Sequence, residues 1–495
     1  MKKIVYQMML VASMATLTAC SSDDPFDTTN NNVFNPGGTE IGGGNGSSSA
    51  GSGELLSFSV NLDRESTEPA STVAAYYPEA EDDITTQTFA TQIAIDMTNP
   101  VAKTENGVEI TVSEGHVTAN HGSTEGICYV VTGTTSNGSL TIDGKTNFEL
   151  NLNSVDITNP TSTALDIESK KASYIVLTGT NKLTDGTTED HKSTLYGKGK
   201  LLLSGTGSLN VYGTYNNGIH TKSYVVIDKG VNLYVNTTIN HGIKASDAVV
   251  INGGIINIES SGEGAKGINC EKDIVINGGR TNVICTGNGE WDTEDLETKA
   301  ATCIKCDSIM TIKGGEINVK ATGSGGKGLK ADWEAYISGG YVVAVGTNND
   351  GIDSNGNMYL KGGTLIAMGA GGAEAGIDIN EQKKLYISGG NIFGIGGRFD
   401  GSLGSTSQGI VTTSGSVTAN STVTITSGST TLASFAMPPY SYNNGTIVVS
   451  APDMKSGSSY TLNLGSQSVN VTASNTISNS GMGGGPGGNN RPGGW

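Results

Sequence analysis

Seven positions, each one residue after an aliphatic anchor, read His220, Lys244, Asn269, Lys305, Lys330, Asp353 and Asp378. The anchors are Ile219, Ile243, Ile268, Ile304, Leu329, Ile352 and Ile377, spaced 24, 25, 36, 25, 23 and 25 residues apart. Lysines repeated at one structural period could meet anionic ligands, and aspartates repeated in the same way supply the hard oxygens that calcium takes. Asp350, Asp353 and Asp378 are therefore candidate metal ligands, with Asp332, Asn355 and Asn380 in the adjacent polar column. The other reading of the same residues is a solvated acidic face. Asp350 alone keeps an Asp-Gly-Ile form; Asn217, His241, Lys266 and Lys327 stand at that place in other repeats, which argues against a chain of ions along the whole array. Tyr336, Tyr359 and Tyr386 share another position. Three rings one repeat apart either offer an apolar platform with polar rims or stabilise the stack itself.

Such columns require that residues two dozen apart become neighbours. One template recurs: the anchor, a few polar residues, an alternating apolar run, a glycine pair, and a second alternating run. The pairs Gly253-Gly254, Gly278-Gly279, Gly314-Gly315, Gly339-Gly340, Gly362-Gly363 and Gly389-Gly390 keep step with the anchors. Strict alternation of Ile and Val means strands with one buried face, and the asparagines and leucines of a leucine-rich repeat are missing. The fold expected is all-β: a right-handed single-stranded parallel β-helix of about 24 residues per rung with a small C-terminal β module. Stacking predicts inward columns Ile251, Ile276, Ile312, Ile337, Leu360, Ile387 and Ile256, Thr281, Ile317, Val342, Leu365, Ile392. A third column, Ile258, Val283, Val319, Ala344, Ala367, Gly394, shrinks toward the C-terminus and predicts that the barrel narrows or its cross-section changes there. Asn257, Asn282 and Asn318 read as a hydrogen-bonding ladder. Looser anchors at Gly126-Ile127 and Ala164-Leu165 put the start of the helix near Glu109. The insertion 287–299, with Trp291, projects from the rungs as a second place for ligand contacts.

Composition bounds the rest. Glycine makes up 72 of 495 residues with only 11 prolines, which excludes collagen, and the corner glycines of a solenoid account for it. The net charge of −18 repels phosphate backbones, so nucleic acid is not an expected partner. Lys2 and Lys3 precede an apolar stretch that ends Leu17-Thr18-Ala19-Cys20, which resembles a bacterial lipobox and makes Cys20 the lipidation site. Ser21-Ser22-Asp23-Asp24 resembles the acidic segment behind the lipidated cysteine of surface-exported lipoproteins, implying a cell-surface position on the outer membrane. The chain divides into a signal peptide (1–19), a lipidated Ser/Gly/Asn-rich tether (20–53), an N-terminal cap that covers the first rung (54–107), the β-helix (108–400), a C-terminal β module closing the other end (401–480) and a Gly-rich tail (481–495). Cys270 and Cys306 should point inward as small packing residues, Cys285 and Cys303 bracket the insertion and could pair, and Cys128 completes the set.

The runs Phe148-Glu-Leu-Asn-Leu-Asn-Ser-Val-Asp-Ile-Thr-Asn159, Gly179-Thr-Asn-Lys-Leu-Thr-Asp-Gly186 and Asn216-Asn-Gly-Ile-His-Thr-Lys-Ser223, with the Ile-x-Gly-Gly repeats, resemble the extracellular carbohydrate-binding β-helix proteins related in shape to pectate lyases. Ser450-Ala-Pro-Asp, Ser459-Tyr-Thr-Leu462 and the Gly-Met-Gly-Gly-Gly-Pro tail are similar to that family's C-terminal unit. The resemblance spans roughly 105–495. It implies non-catalytic capture of a plant-type polysaccharide, cellulose-like or polygalacturonate, assisted by calcium on the helix, for a neighbouring enzyme or transporter of a polysaccharide-utilisation machinery. Lys244, Lys305, Lys330 and the three tyrosines would then be the carbohydrate contacts. A calcium-dependent pectate lyase, with Lys330 abstracting a proton near Asp353, is the alternative, and an adhesin or structural stalk is a third.

Overall fold

The computed structural model describes residues 68–477, apart from 189, 294–296 and 381. Short strands follow one another around tight bends, and each pairs in parallel with its counterpart one repeat away. Ile219 lies beside Ile243, Ile243 beside Ile268 and Ile268 beside Ile304. The long interval before Ile304 leaves this register intact because its surplus leaves the rung as a hairpin, Glu290–Asp292 pairing antiparallel with Glu297–Lys299. One turn consists of Ile243–Ala245, Ala248–Ile251 and Ile255–Ser260. The body is thus a three-faced parallel β-solenoid, and on the anchor face eleven strands from His116–Asn120 to Ile377–Ile379 stack in chain order.

The predicted inward columns are the core: Ile251 to Ile387 and Ile256 to Ile392 are buried in register along the stack. Burying each such side chain contributes about 1.5–3 kcal/mol. The glycine pairs make the corner between the second and third faces. Gly254, Gly279, Gly315, Gly340, Gly363 and Gly390 all have φ between 75° and 87°, which a Cβ disfavours. The partner glycines are needed for room: a Cβ on Gly339 would lie 2.2 Å from the Lys313 carbonyl oxygen. Beside this corner Asn282 donates to Asn257 at 2.9 Å and Asn318 to Asn282 at 3.0 Å, the expected ladder.

Three details differ from expectation. On the anchor face parallel stacking starts at His116–Asn120, not at Glu109, because Val108–Ser113 folds back antiparallel on that strand and closes the end. Within the expected N-terminal cap, Thr91–Asp96 pairs parallel with Ile127–Thr135 as a first rung, whereas 68–90 runs along the flank. There Tyr77, Ile84 and Phe89 cover an outward apolar patch of Tyr174, Leu202, Tyr224, Val226 and Val250. The third inward column does shrink, but the bulk reappears on the outer side of the same strands as Val343, Val345, Ile366, Met368, Phe393 and Ile395. Phe435, Tyr442 and Val449 of the C-terminal module pack on that outer face, and Tyr442–Ser450 pairs antiparallel with the end of Lys384–Gly396. A face covered on both sides loses its alternation. No helix of the described residues is long and apolar enough to cross a membrane.

Candidate functional site

The position after each anchor forms one unbroken outward column on the eleven-stranded face. Register places Thr141, Asp166, Tyr196, His220, Lys244, Asn269, Lys305, Lys330, Asp353 and Asp378 side by side. Successive members lie about 4.8 Å apart, the spacing of paired strands. Over Lys244 to Lys330 the face is concave, a groove of about 1030 Å³ bounded on one side by the inserted hairpin through Glu290 and Thr298. Trp333, 63% exposed, lines the groove, and Trp291, 55% exposed, stands on that hairpin. Large exposed indoles of this kind are a feature of ligand-contact surfaces.

The lysines of the column are not free charges. Lys244 is 3.3 Å from Glu271, Lys305 is 2.7 Å from Asp332 and also bonded to Asp307, and Lys330 is 3.2 Å from Asp353. Burial acts to lower the pKa of Lys305, but Asp332 and Asp307 outweigh it and hold the ammonium charged. Lys266 is different: it is 7% exposed, and its Nζ donates to the Gly264 carbonyl at 2.7 Å without a carboxylate partner among the described residues. Burial, with Lys305 and Lys299 nearby, pulls it down to about 8. Six lysines and five carboxylates line the groove, so its walls are close to neutral despite the acidity of the chain.

Asp350, Asp353 and Asp378 do converge, with one oxygen of each within 4.8 Å of the others. They are not exposed to solvent, however; they are 1%, 4% and 6% exposed. Lys327, 1% exposed, places its ammonium among them, 2.5 Å from Asp353 and 3.5 Å from Asp350. Burial would raise Asp353, but Lys327 and Lys330 outweigh it and hold the carboxyl well below its ordinary value. Burial first, then Asp350 and Asp353, push the Asp378 carboxyl well up, toward its neutral form. Two ammonium groups then balance two carboxylates. Calcium needs six to eight oxygens around one point, and here that point holds Lys327. The expected trio is thus brought together, with the Lys327 ammonium packed among its carboxylates as an internal counter-charge.

The tyrosine column also differs from the expected platform. Tyr336 and Tyr359 stack with centroids 4.6 Å apart at 4°, and Tyr359 and Tyr386 at 4.9 Å and 9°. Their faces are turned to one another, and Lys361 lies 5.0 Å from the Tyr336 centroid. What the column shows outward is edges and hydroxyls, and Glu334 accepts from both Tyr336 at 2.5 Å and Tyr359 at 3.4 Å. None of the three lines the groove; Glu334, which does, connects the two. Cys270 and Cys306 are buried neighbours, as expected. Cys285 and Cys303 also adjoin but are free buried thiols, and burial pushes Cys303 well up. Cys20 lies outside the described residues. Trp333 is the groove residue the sequence reading missed, although its place in the bend between Leu329–Ala331 and Glu334–Ile337 makes it the one large apolar residue at that corner of the repeat.

No curated protein matches the chain. A solved structure described as the polysaccharide lyase-like protein from C. thermocellum, in a gadolinium derivative, is 24% identical and aligns over 55% of this chain and 92% of its own, with a TM-score of 0.32. A family model described as carbohydrate-binding domain-containing protein matches residues 113–373, which takes in the anchor column from Thr141 to Asp353 and every residue of the lysine ladder. With more than half its length inside that match, the chain belongs to the carbohydrate-binding domain-containing proteins.

Proposed function

We propose that the protein captures polysaccharide in the groove of its anchor face without cleaving it, held at the outer surface of the cell by lipid on Cys20. The observation that carries this reading is a trough in which Trp333 stands beside a floor of alternating ammonium and carboxylate groups. Sugar hydroxyls both donate and accept, so one ring can bond to Lys305 and Asp332 together, while an indole supplies an apolar surface. Because Lys244, Lys305 and Lys330 are already paired, the groove favours a neutral, cellulose-like glycan over polygalacturonate, whose carboxylates would compete with Glu271, Asp307 and Asp332. In this reading capture does not call on calcium, since Lys327 supplies a counter-charge to Asp350 and Asp353.

A lyase needs a neutral lysine as base. The Lys330 Nζ is engaged in ion pairs with Asp353 at 3.2 Å and Asp332 at 3.8 Å, which argues against that role. Captured glycan would pass to a neighbouring enzyme or transporter of a utilisation system. An array of neutral and uronic-acid polysaccharides, run with calcium and with chelator, tests the proposal. Retention on neutral polymers that survives chelator, with no product absorbing in the ultraviolet, is expected. Unsaturated product, or retention only on polygalacturonate and only with calcium, would overturn it.

A further inference from the structure

Upstream on the same face the column forms a second concavity, a recess of about 660 Å³ around Asp166 and Tyr196, whose lining shares no residue with the groove. Asp166 is its unusual member. Its Oδ1 is shut off from solvent and accepts no hydrogen bond. Burial first, and Glu168 second, push the Asp166 carboxyl up to about 6, against the pull of Lys198. An acceptor left without a donor in a partly dry site is costly, so it marks a place where a donor from outside completes the structure.

The surroundings say what kind of donor. Glu168 is bonded to Lys198, and His191 is fixed by a 3.0 Å contact to Asp185 and by stacking on Tyr215 at 4.6 Å. The remaining wall is largely hydroxyls, Ser139, Thr141, Thr161, Ser162 and Thr163. Asp166, Glu168 and Asp190 face Lys192, Lys198 and Lys222, so the recess has no net field to select an ion. A neutral ring carrying several hydroxyls matches that lining, whereas a phosphate or a divalent cation would meet as many like charges as opposite ones.

We propose that this recess is a second glycan subsite, taking a neutral sugar unit whose hydroxyls donate to Asp166 and bond to Tyr196, on the same polysaccharide chain that lies in the groove. It rests on the reading of the anchor face as the glycan-binding one. Asp166 and Lys244 are three rungs apart in one column, so about 14 Å separates them. The residue between Tyr196 and Lys244 is His220, whose ring meets Tyr196 edge-on at 5.5 Å. Two subsites on one rigid face engage a long chain together and a short one singly, and the second contact on a linked ligand adds affinity with no new chemistry.

The test uses the full chain with hydroxyethylcellulose as polymer and cellotriose as short ligand, in affinity gels and calorimetry. Asp166→Asn, Asp166→Ala and Tyr196→Phe should each weaken retention on the polymer by about tenfold or more, leave the cellotriose affinity of the groove within about twofold, and leave the melting temperature unchanged. Trp333→Ala should weaken both ligands. Polymer retention by Asp166→Ala and Tyr196→Phe equal to that of the parent would overturn the subsite while the groove stands. Loss in those variants with no effect of Trp333→Ala would keep the subsite and overturn the groove. A parent protein that neither polymer nor trisaccharide engages overturns both.

Discussion

Replacing Lys327 by Met removes the one ammonium that lies between Asp350 and Asp353 while keeping the length of the side chain. At an effective dielectric near 20, unit charges 2.5 Å and 3.5 Å apart attract by about 7 and about 5 kcal/mol. Most of that gross attraction offsets the desolvation of three buried charges, and removing one partner of such a group costs about 3–5 kcal/mol because the others stay buried. Urea unfolding at pH 7 should therefore show the variant less stable by that amount. The deficit should shrink as the pH falls, since burial raises Asp350 and a protonated carboxyl has no need of the lysine. Asp353 works in the opposite direction in the parent protein: its carboxyl is held below the unfolded value near 4, so the stability it contributes at neutral pH is lost as the pH drops below about 4. In the variant that acid-side loss should be smaller, with only Lys330 left beside Asp353. Calcium in millimolar amounts should restore part of the stability of the variant and add nothing to the parent. A parent protein stabilised by calcium and destabilised by chelator, or a Met variant as stable as the parent at pH 7, would refute the assignment of Lys327 as the internal cation.

Four further outcomes follow from the same structure. Trp333→Ala should cost the groove about 1–2 kcal/mol of glycan affinity, roughly 5- to 30-fold, by calorimetry on a neutral oligosaccharide. Lys305→Ala should have a smaller effect on neutral glycan than Trp333→Ala, and its loss should be insensitive to salt between 50 and 300 mM (order-of-magnitude bounds for screening) because the side chain is ion-paired before ligand arrives. Gly340→Ala puts a Cβ at φ 81° and about a rung's contact from the Gly315 carbonyl, 2.8 Å away, and should lower stability by at least about 1–2 kcal/mol in urea. Cys128, Cys270, Cys285, Cys303 and Cys306 should be silent to a thiol reagent in the native protein and react on unfolding, since all are buried and burial pushes Cys128 and Cys270 up to about 12.

The interior was readable because one period governs it: once Ile243 and Ile268 are neighbours, Ile251, Ile256 and Ile258 have no choice of face. The column of Lys244, Lys305 and Lys330 followed from the same rule. The partners of those lysines did not, because Glu271, Asp307 and Asp332 sit in bends, where side-chain direction depends on local backbone and not on alternation. Lys327 stood in plain view at the corner position later taken by Asp350, yet the inward turn of its ammonium is decided by the carboxylates one rung on. The recess around Asp166 was hidden for a simpler reason. The intervals between Leu140, Leu165, Leu195 and Ile219 are 25, 30 and 24 residues, so the early rungs do not announce their columns. The stacked tyrosines were found by period, but whether aromatic faces meet each other or the solvent is a matter of rotamers, which spacing leaves open.

The segment 68–90 does more than cover an apolar flank. It is clasped to several separate rungs at once: Glu68 accepts from the Gly230 backbone, the Ser71 hydroxyl donates to the Asn277 carbonyl, Tyr76 and Asn252 exchange two bonds, and Tyr77 donates to Asp228. Tension arriving along the chain toward residue 68 therefore enters the body at mid-height and loads these attachments in shear, where many must yield together. A pull on a terminal rung would peel strands one at a time. A solenoid gripped by its waist can resist drag from a long captured polymer without its coils being drawn out in sequence.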